Sequence, residues 1–123
     1  MKTASFYSYT GPGRISIARF APRGMTAGYR IYKPLAPGPW FNSVTEEMYR
    51  ELYFAQLAEL DAAAVVAELH SMAAGAEPIL LCYESVKDIS AGKTYCHRHM
   101  VSEWFKTTLG LDVPEIGAWH PAA

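Results

Sequence analysis

The chain has 123 residues and a formal net charge of −1, with 50% of its residues hydrophobic and 19% charged. That is length enough for one hydrophobic core, and a globular composition with no pull toward disorder. Near-neutral charge excludes the broad attraction that extended nucleic acid or an anionic membrane would need, but it leaves room for a local basic pocket.

The opening MKTASFYSYTGPGR has no apolar signal-peptide core. No window approaches the roughly 20 apolar residues of a membrane span. Both features point to the cytosol. There, Cys82 and Cys96 read better as thiols, ligands or catalytic groups than as a disulfide. A free cysteine packed as a small hydrophobe is the plainer alternative for each.

In chain order, ASFYSY at 4–9 and RISIARF at 14–20 read as short strands, separated by a turn at GPG 11–13. Residues 21–43 carry Pro22, Gly24, Gly28, Pro34, Pro37, Gly38 and Pro39 and predict a long irregular loop, with YRIY at 29–32 as a short edge strand. Ser43 with Glu46 fits a capping box that starts a helix running to about Leu60. Its apolar lines are Val44, Met48, Leu52, Ala55 and Tyr49, Tyr53, Leu57, Leu60, together a wide buried face. Asp61 caps a second helix over 62–74, packing through Val65, Val66, Leu69 and Met72 and stopped by Gly75.

PILLCYE at 78–84 is a continuous apolar run, the mark of a strand covered on both faces as in a parallel sheet. Alternation sets Ile79, Leu81 and Tyr83 against Leu80, Cys82 and Glu84. The loop SVKDISAGKTY follows, then a helix over 96–109 that buries Met100, Val101, Trp104, Phe105 and Thr108 and closes at Gly110. The tail LDVPEIGAWHPAA is weakly patterned and could add an edge strand. The order predicts one α/β domain over 1–123: a small layered sheet, at least partly parallel, flanked by about three helices.

Ligands in open α/β sheets bind outside the carboxyl ends of the strands. RISIAR ends in Arg19 and ILLCYE in Glu84, so adjacent strands would bring both to one crevice, as a structural ion pair or as a joint grip on a polar ligand. Cys96-His97-Arg98-His99 opens the following helix on the same side. A helix start favours anions and lowers a thiol's pKa, and Arg98 adds a fork suited to phosphate or carboxylate.

Metal is the rival reading, with zinc or another transition metal held by Cys82, Cys96, His97 and His99. Three things weaken it: thirteen residues separate the cysteines, helical neighbours diverge by about 100°, and Arg98 would repel a cation. There is no Cys-x5-Arg, GxGxxG, Walker loop or GxSxG. His70 and His120 read as surface or packing residues, and Tyr29, Tyr32 and Trp40 as loop residues able to stack on a planar ligand.

ISIARFAPRG at 15–24, LAP at 35–37, the helix around EEMYRELY, LLCYE and CHR, in this order, resemble domain of unknown function 488, a set of small, mostly bacterial proteins. The likeness covers most of 14–109. It implies an α/β domain whose hallmark polar residues correspond to Arg19, Cys82, Glu84, Cys96, His97 and Arg98; it implies little about activity. The loop before CHR is longer here than the family's short acidic link, and His99 lies outside the hallmark.

The leading expectation is a pocket for a small anionic, nucleotide- or nucleoside-derived ligand, with Arg19, Arg98, Cys82 and Tyr83 binding it. Were the ligand hydrolysed, Glu84 or His97 would be the acid/base and Cys96 the nucleophile. The alternatives are a metal- or thiol-based module and a non-catalytic sequestering or interaction protein. No cofactor is required by the leading reading, and a homo-oligomer stays open.

Overall fold

A computed structural model of the chain describes residues 1–20, 24, 28–84 and 95–117. Four strands form one sheet: β1 (Lys2–Ser5), β2 (Arg14–Ser16), β3 (Arg30–Ile31) and β4 (Ile79–Cys82), in the order β1-β4-β2-β3. Every pairing is parallel, so the expected partly parallel sheet is fully parallel among the described strands. Three helices accompany it: α1 (Glu46–Ala58), α2 (Ala62–Ala73) and α3 (His97–Leu109). No helix among the described residues is long and apolar enough to cross a membrane.

The strands are shorter than their sequence patterns. The first lies at 2–5 rather than 4–9, because Ser5 starts a local turn: its hydroxyl accepts from Tyr7 N–H and its amide donates to the Ser8 hydroxyl. β2 stops at Ser16, although Ile17 still donates its N–H to the Leu81 carbonyl at 3.0 Å. Gly13 permits this start. It sits at φ +83°, and a Cβ there would collide with the Glu77 carbonyl. The expected edge strand forms beside β2, and the described part of the tail contributes a single bridge, Thr3 to Glu115.

The helix starts follow side-chain chemistry. Asp61 accepts from Ala64 N–H and caps α2 as expected. α1 is capped by Thr45, which accepts from Met48 N–H, while the Ser43 hydroxyl donates to the Trp40 carbonyl instead. The Ser43–Glu46 capping box is therefore corrected by two residues. At the other end of the chain, Gly110 (φ +65°) closes α3 by donating to the Lys106 carbonyl.

All three helices pack into one cluster with Ile15, Ile17 and Leu80 of the sheet. Tyr53, Leu57, Leu69, Val101 and Phe105 are its fully buried centre, and burial of each aliphatic or Phe side chain is worth about 1.5–3 kcal/mol. Only the Tyr49, Tyr53, Leu57 line of α1 is core; Met48 and Ala55 are exposed, so the buried face is narrower than the sequence suggests. Thr108 is also exposed, its hydroxyl turned back to the Trp104 carbonyl. On the opposite face, Ala4, Ile79 and Leu81 pack with Phe6 and Ala18.

Candidate functional site

β2 and β4 are neighbours, with Ser16 beside Leu81. The chain segments leaving their carboxyl ends, Ala18-Arg19-Phe20 and Cys82-Tyr83-Glu84, consequently flank one cavity of about 330 Å³. Pro37 and Phe41 close it from the loop before α1, Tyr49 from α1, and Tyr95 and His97 from the start of α3. Arg19, Cys82, Tyr83, Glu84 and His97 thus share the crevice expected of them. Residues 85–94 of the loop after Glu84, and His120, lie outside the described residues.

Among the described residues the rim is aromatic, with one cation and one carboxylate. Arg19 is exposed, donates to the Pro37 carbonyl at 3.2 Å, and lies over the Phe20 ring, 5.7 Å from its centroid. No ion pair joins it to Glu84 among the described residues. The Glu84 charge reaches the cavity tyrosines. Burial, with Glu84 adding to it, raises the Tyr49 phenol; burial, with Glu46 and Glu84, raises Tyr95. Tyr83 donates its hydroxyl to the Phe20 carbonyl, tying the two rim segments together.

The aromatic walls differ from those expected. Tyr29 packs edge-on against Phe6, Tyr32 hydrogen-bonds Glu68 at 2.6 Å, and Trp40 packs against Tyr49. None lines the cavity; Phe20, Phe41, Tyr49, Tyr83 and Tyr95 do. Tyr49 went unrecognised because it sits on the core line of α1, where helical periodicity alone makes it a packing residue.

Below the rim lies a buried polar knot. Arg98, expected as an anion ligand, is 0% exposed and absent from the cavity wall. Its Nε and Nη2 donate to the two Glu115 carboxylate oxygens at 2.8 and 3.0 Å, and its Nη1 to the Cys82 sulfur at 3.1 Å. Glu115 also accepts from the Thr3 hydroxyl at 2.6 Å and contacts His99 Nε2 at 2.9 Å. Burial opposes ionisation of Glu115, but the hydrogen bonds from His99, Arg98 and Thr3 outweigh it and hold the carboxyl down at about 2. The guanidinium is thus spent as a brace between α3, the tail and β4. Glu115 had no sequence signal, since the tail lacks periodicity.

His97 is buried and sits edge-on to Tyr53. Its Nε2 lies 2.6 Å from the Ile17 carbonyl, which can only accept, so Nε2 carries the hydrogen. Nδ1 keeps the lone pair and faces the Cys96 sulfur at 3.9 Å. Burial pushes the His97 pKa down to about 4, against the pull of the Ile17 hydrogen bond and with help from Arg98, so the ring is neutral at pH 7.

Cys82 and Cys96 are joined as a disulfide, against the expectation of two thiols. Their Cα atoms stand 7.3 Å apart. Cys96 is the N-cap of α3 with extended backbone (φ −137°, ψ 137°), not its first helical residue. The 100° divergence expected between helical neighbours consequently does not apply to Cys96 and His97. Cys82, Cys96 and His97 bring their sulfur and nitrogen atoms within 4.8 Å of one another, whereas His99 turns away to Glu115. Comparison with known family models, with curated proteins and with solved structures finds no match to this chain.

Proposed function

We propose that the cavity at the carboxyl ends of β2 and β4 binds a small nucleoside- or nucleotide-derived molecule. The observation that carries this reading is the composition of its wall: the rings of Phe20, Phe41, Tyr49, Tyr83 and Tyr95 around one exposed Arg19 and the Glu84 carboxylate. Aromatic rings accept a planar base by stacking or edge contact. Glu84 suits base or ribose donors, and Arg19 suits a phosphate at the mouth. Arg98 has no part in this, because Glu115 and Cys82 already engage it. For hydrolysis, Glu84 is the acid/base candidate, since both His97 nitrogens face protein atoms.

We place the protein in the cytosol, a reducing compartment in which the Cys82–Cys96 bond of the structure would open to two thiols. Kinship with domain of unknown function 488 is proposed on the sequence motifs ISIAR, LLCYE and CHR alone.

The test is calorimetry on metal-free protein with a panel of nucleosides and their mono- and diphosphates. We expect at least one to bind more tightly than ~1 mM. Arg19→Ala should abolish the preference for the phosphorylated form while leaving the fold intact. Absence of binding across the panel overturns the reading. Binding with every compound recovered unchanged assigns sequestration rather than turnover.

A further inference from the structure

Beneath the aromatic rim, Cys82, Cys96 and His97 form the one cluster of soft ligands among the described residues, all three buried. We propose that, in the reduced protein, these three side chains hold a single zinc-class dication whose fourth coordination position opens into the cavity.

Four observations carry this. The donor set, two sulfurs and an imidazole nitrogen, is one that zinc takes with three protein ligands and an open site. The ring of His97 is oriented as metal-ligating histidines are: Nε2–H is fixed by a backbone carbonyl, and Nδ1 presents its lone pair to the cluster. The Arg98 Nη1–H donor at 3.1 Å from the Cys82 sulfur would stabilise a thiolate there, while Glu115 neutralises the guanidinium on its other edges. Arg98 therefore supports the site rather than repelling a cation. Finally, Cys82 and His97 both line the cavity, so an ion between them and Cys96 faces its interior.

Two thiolates, a neutral imidazole and a dication sum to zero charge, which a buried site requires. Bound there, the ion would supply Lewis acidity or an activated water to whatever occupies the rim. The assignment does not depend on the identity of the rim ligand.

The experiment uses untagged full-length protein, reduced anaerobically by a water-soluble phosphine. That step breaks the Cys82–Cys96 bond, yields two thiols, and converts the phosphine to its oxide, with water supplying the oxygen and both protons. Titration with Co(II) should then saturate at one equivalent, with sulfur-to-cobalt charge-transfer bands and the intense visible bands of a four-coordinate ion. Zn(II) should erase both. Adding imidazole should shift the visible bands, because the fourth position is open.

Cys96→Ser should weaken binding by more than the roughly 100-fold typical of losing a supporting group. His99→Gln should leave it unchanged. Protein with the disulfide intact should bind no cobalt. A featureless or six-coordinate spectrum from reduced, folded wild-type protein overturns the site, as does equal binding by the oxidised form. Loss of binding in His99→Gln overturns the ligand set, and a spectrum indifferent to imidazole overturns the open position. The titration on wild type needs no variant to fold. Because nucleoside binding is measured without metal, either proposal can fail alone.

Discussion

Two arginines reach the same end of the sheet and meet opposite fates. Arg19 leaves β2 on the exposed rim, held by one carbonyl and a ring face. Arg98, the second residue of α3, is fully enclosed and gives its donors to Glu115 and Cys82. Charge alone would make both of them anion ligands; burial and partners separate them. A guanidinium that has given both edges to a buried carboxylate and a sulfur is a structural member, and of these two arginines the one left for a ligand is the one facing solvent.

The difference should appear first in stability. Removing one partner of a buried ion pair strands the other charge and costs about 3–5 kcal/mol, whereas an exposed substitution stays within about 0.5 kcal/mol. Arg98→Ala should therefore lower the urea midpoint sharply or prevent folding, and Arg19→Ala should scarcely move it. Arg98→Met with Glu115→Leu together should recover most of the loss, because neither charge is then stranded. Equal and small effects of the two single arginine substitutions would erase the distinction.

Acid should act on the buried His97 and Glu115 in turn. Unfolded His97 takes up a proton near its ordinary pKa of 6.5, while the folded ring resists until about 4. The unfolded state thus binds more protons across that window, and stability falls as pH drops from 6.5 to 4, by about 3 kcal/mol for this group. Glu115 acts in the same direction lower down. Its carboxylate is favoured in the fold, so its contribution is present above about 4.5 and is lost as pH falls toward 2. Urea melts in chelator should show the first loss in wild type and a flatter profile between pH 6.5 and 4 in His97→Gln. An unchanged profile would remove His97 as its source.

How much of this was legible in the sequence depended on the kind of signal. The parallel sheet, the α2 and α3 boundaries and the crevice at the ends of β2 and β4 follow from local chemistry: Asp61 and Gly110 as caps, and the continuous apolar run of β4. The partners of Arg98 were not legible, because Glu115 lies 17 residues away in a segment with no periodicity. The role of Cys96 turned on one backbone conformation. As an N-cap it joins Cys82 and His97; as a helical residue it would have pointed away. Tertiary pairing and a single φ/ψ value lie below what pattern reading resolves.

The smallest expected effect tests the one local reading that failed. Ser43 with Glu46 has the spacing of a capping box, yet Thr45 caps α1 by accepting from Met48 N–H at 3.2 Å. The reason is positional. Glu46 and Glu47 both fall in the first helical turn, where their carboxylates favour the positive end of the helix dipole. A start at Ser43 would move that turn back to Val44 and Thr45, which are poorer helix formers. Thr45→Ala should cost about 1 kcal/mol by thermal or chemical melting, the usual penalty for a lost N-cap. Ser43→Ala should cost much less, since its hydroxyl serves only the exposed Trp40 carbonyl contact. If the two costs were reversed, α1 would begin two residues earlier in solution. Phe41 and Tyr49, which bracket the helix start and wall the cavity, would then sit differently against Arg19.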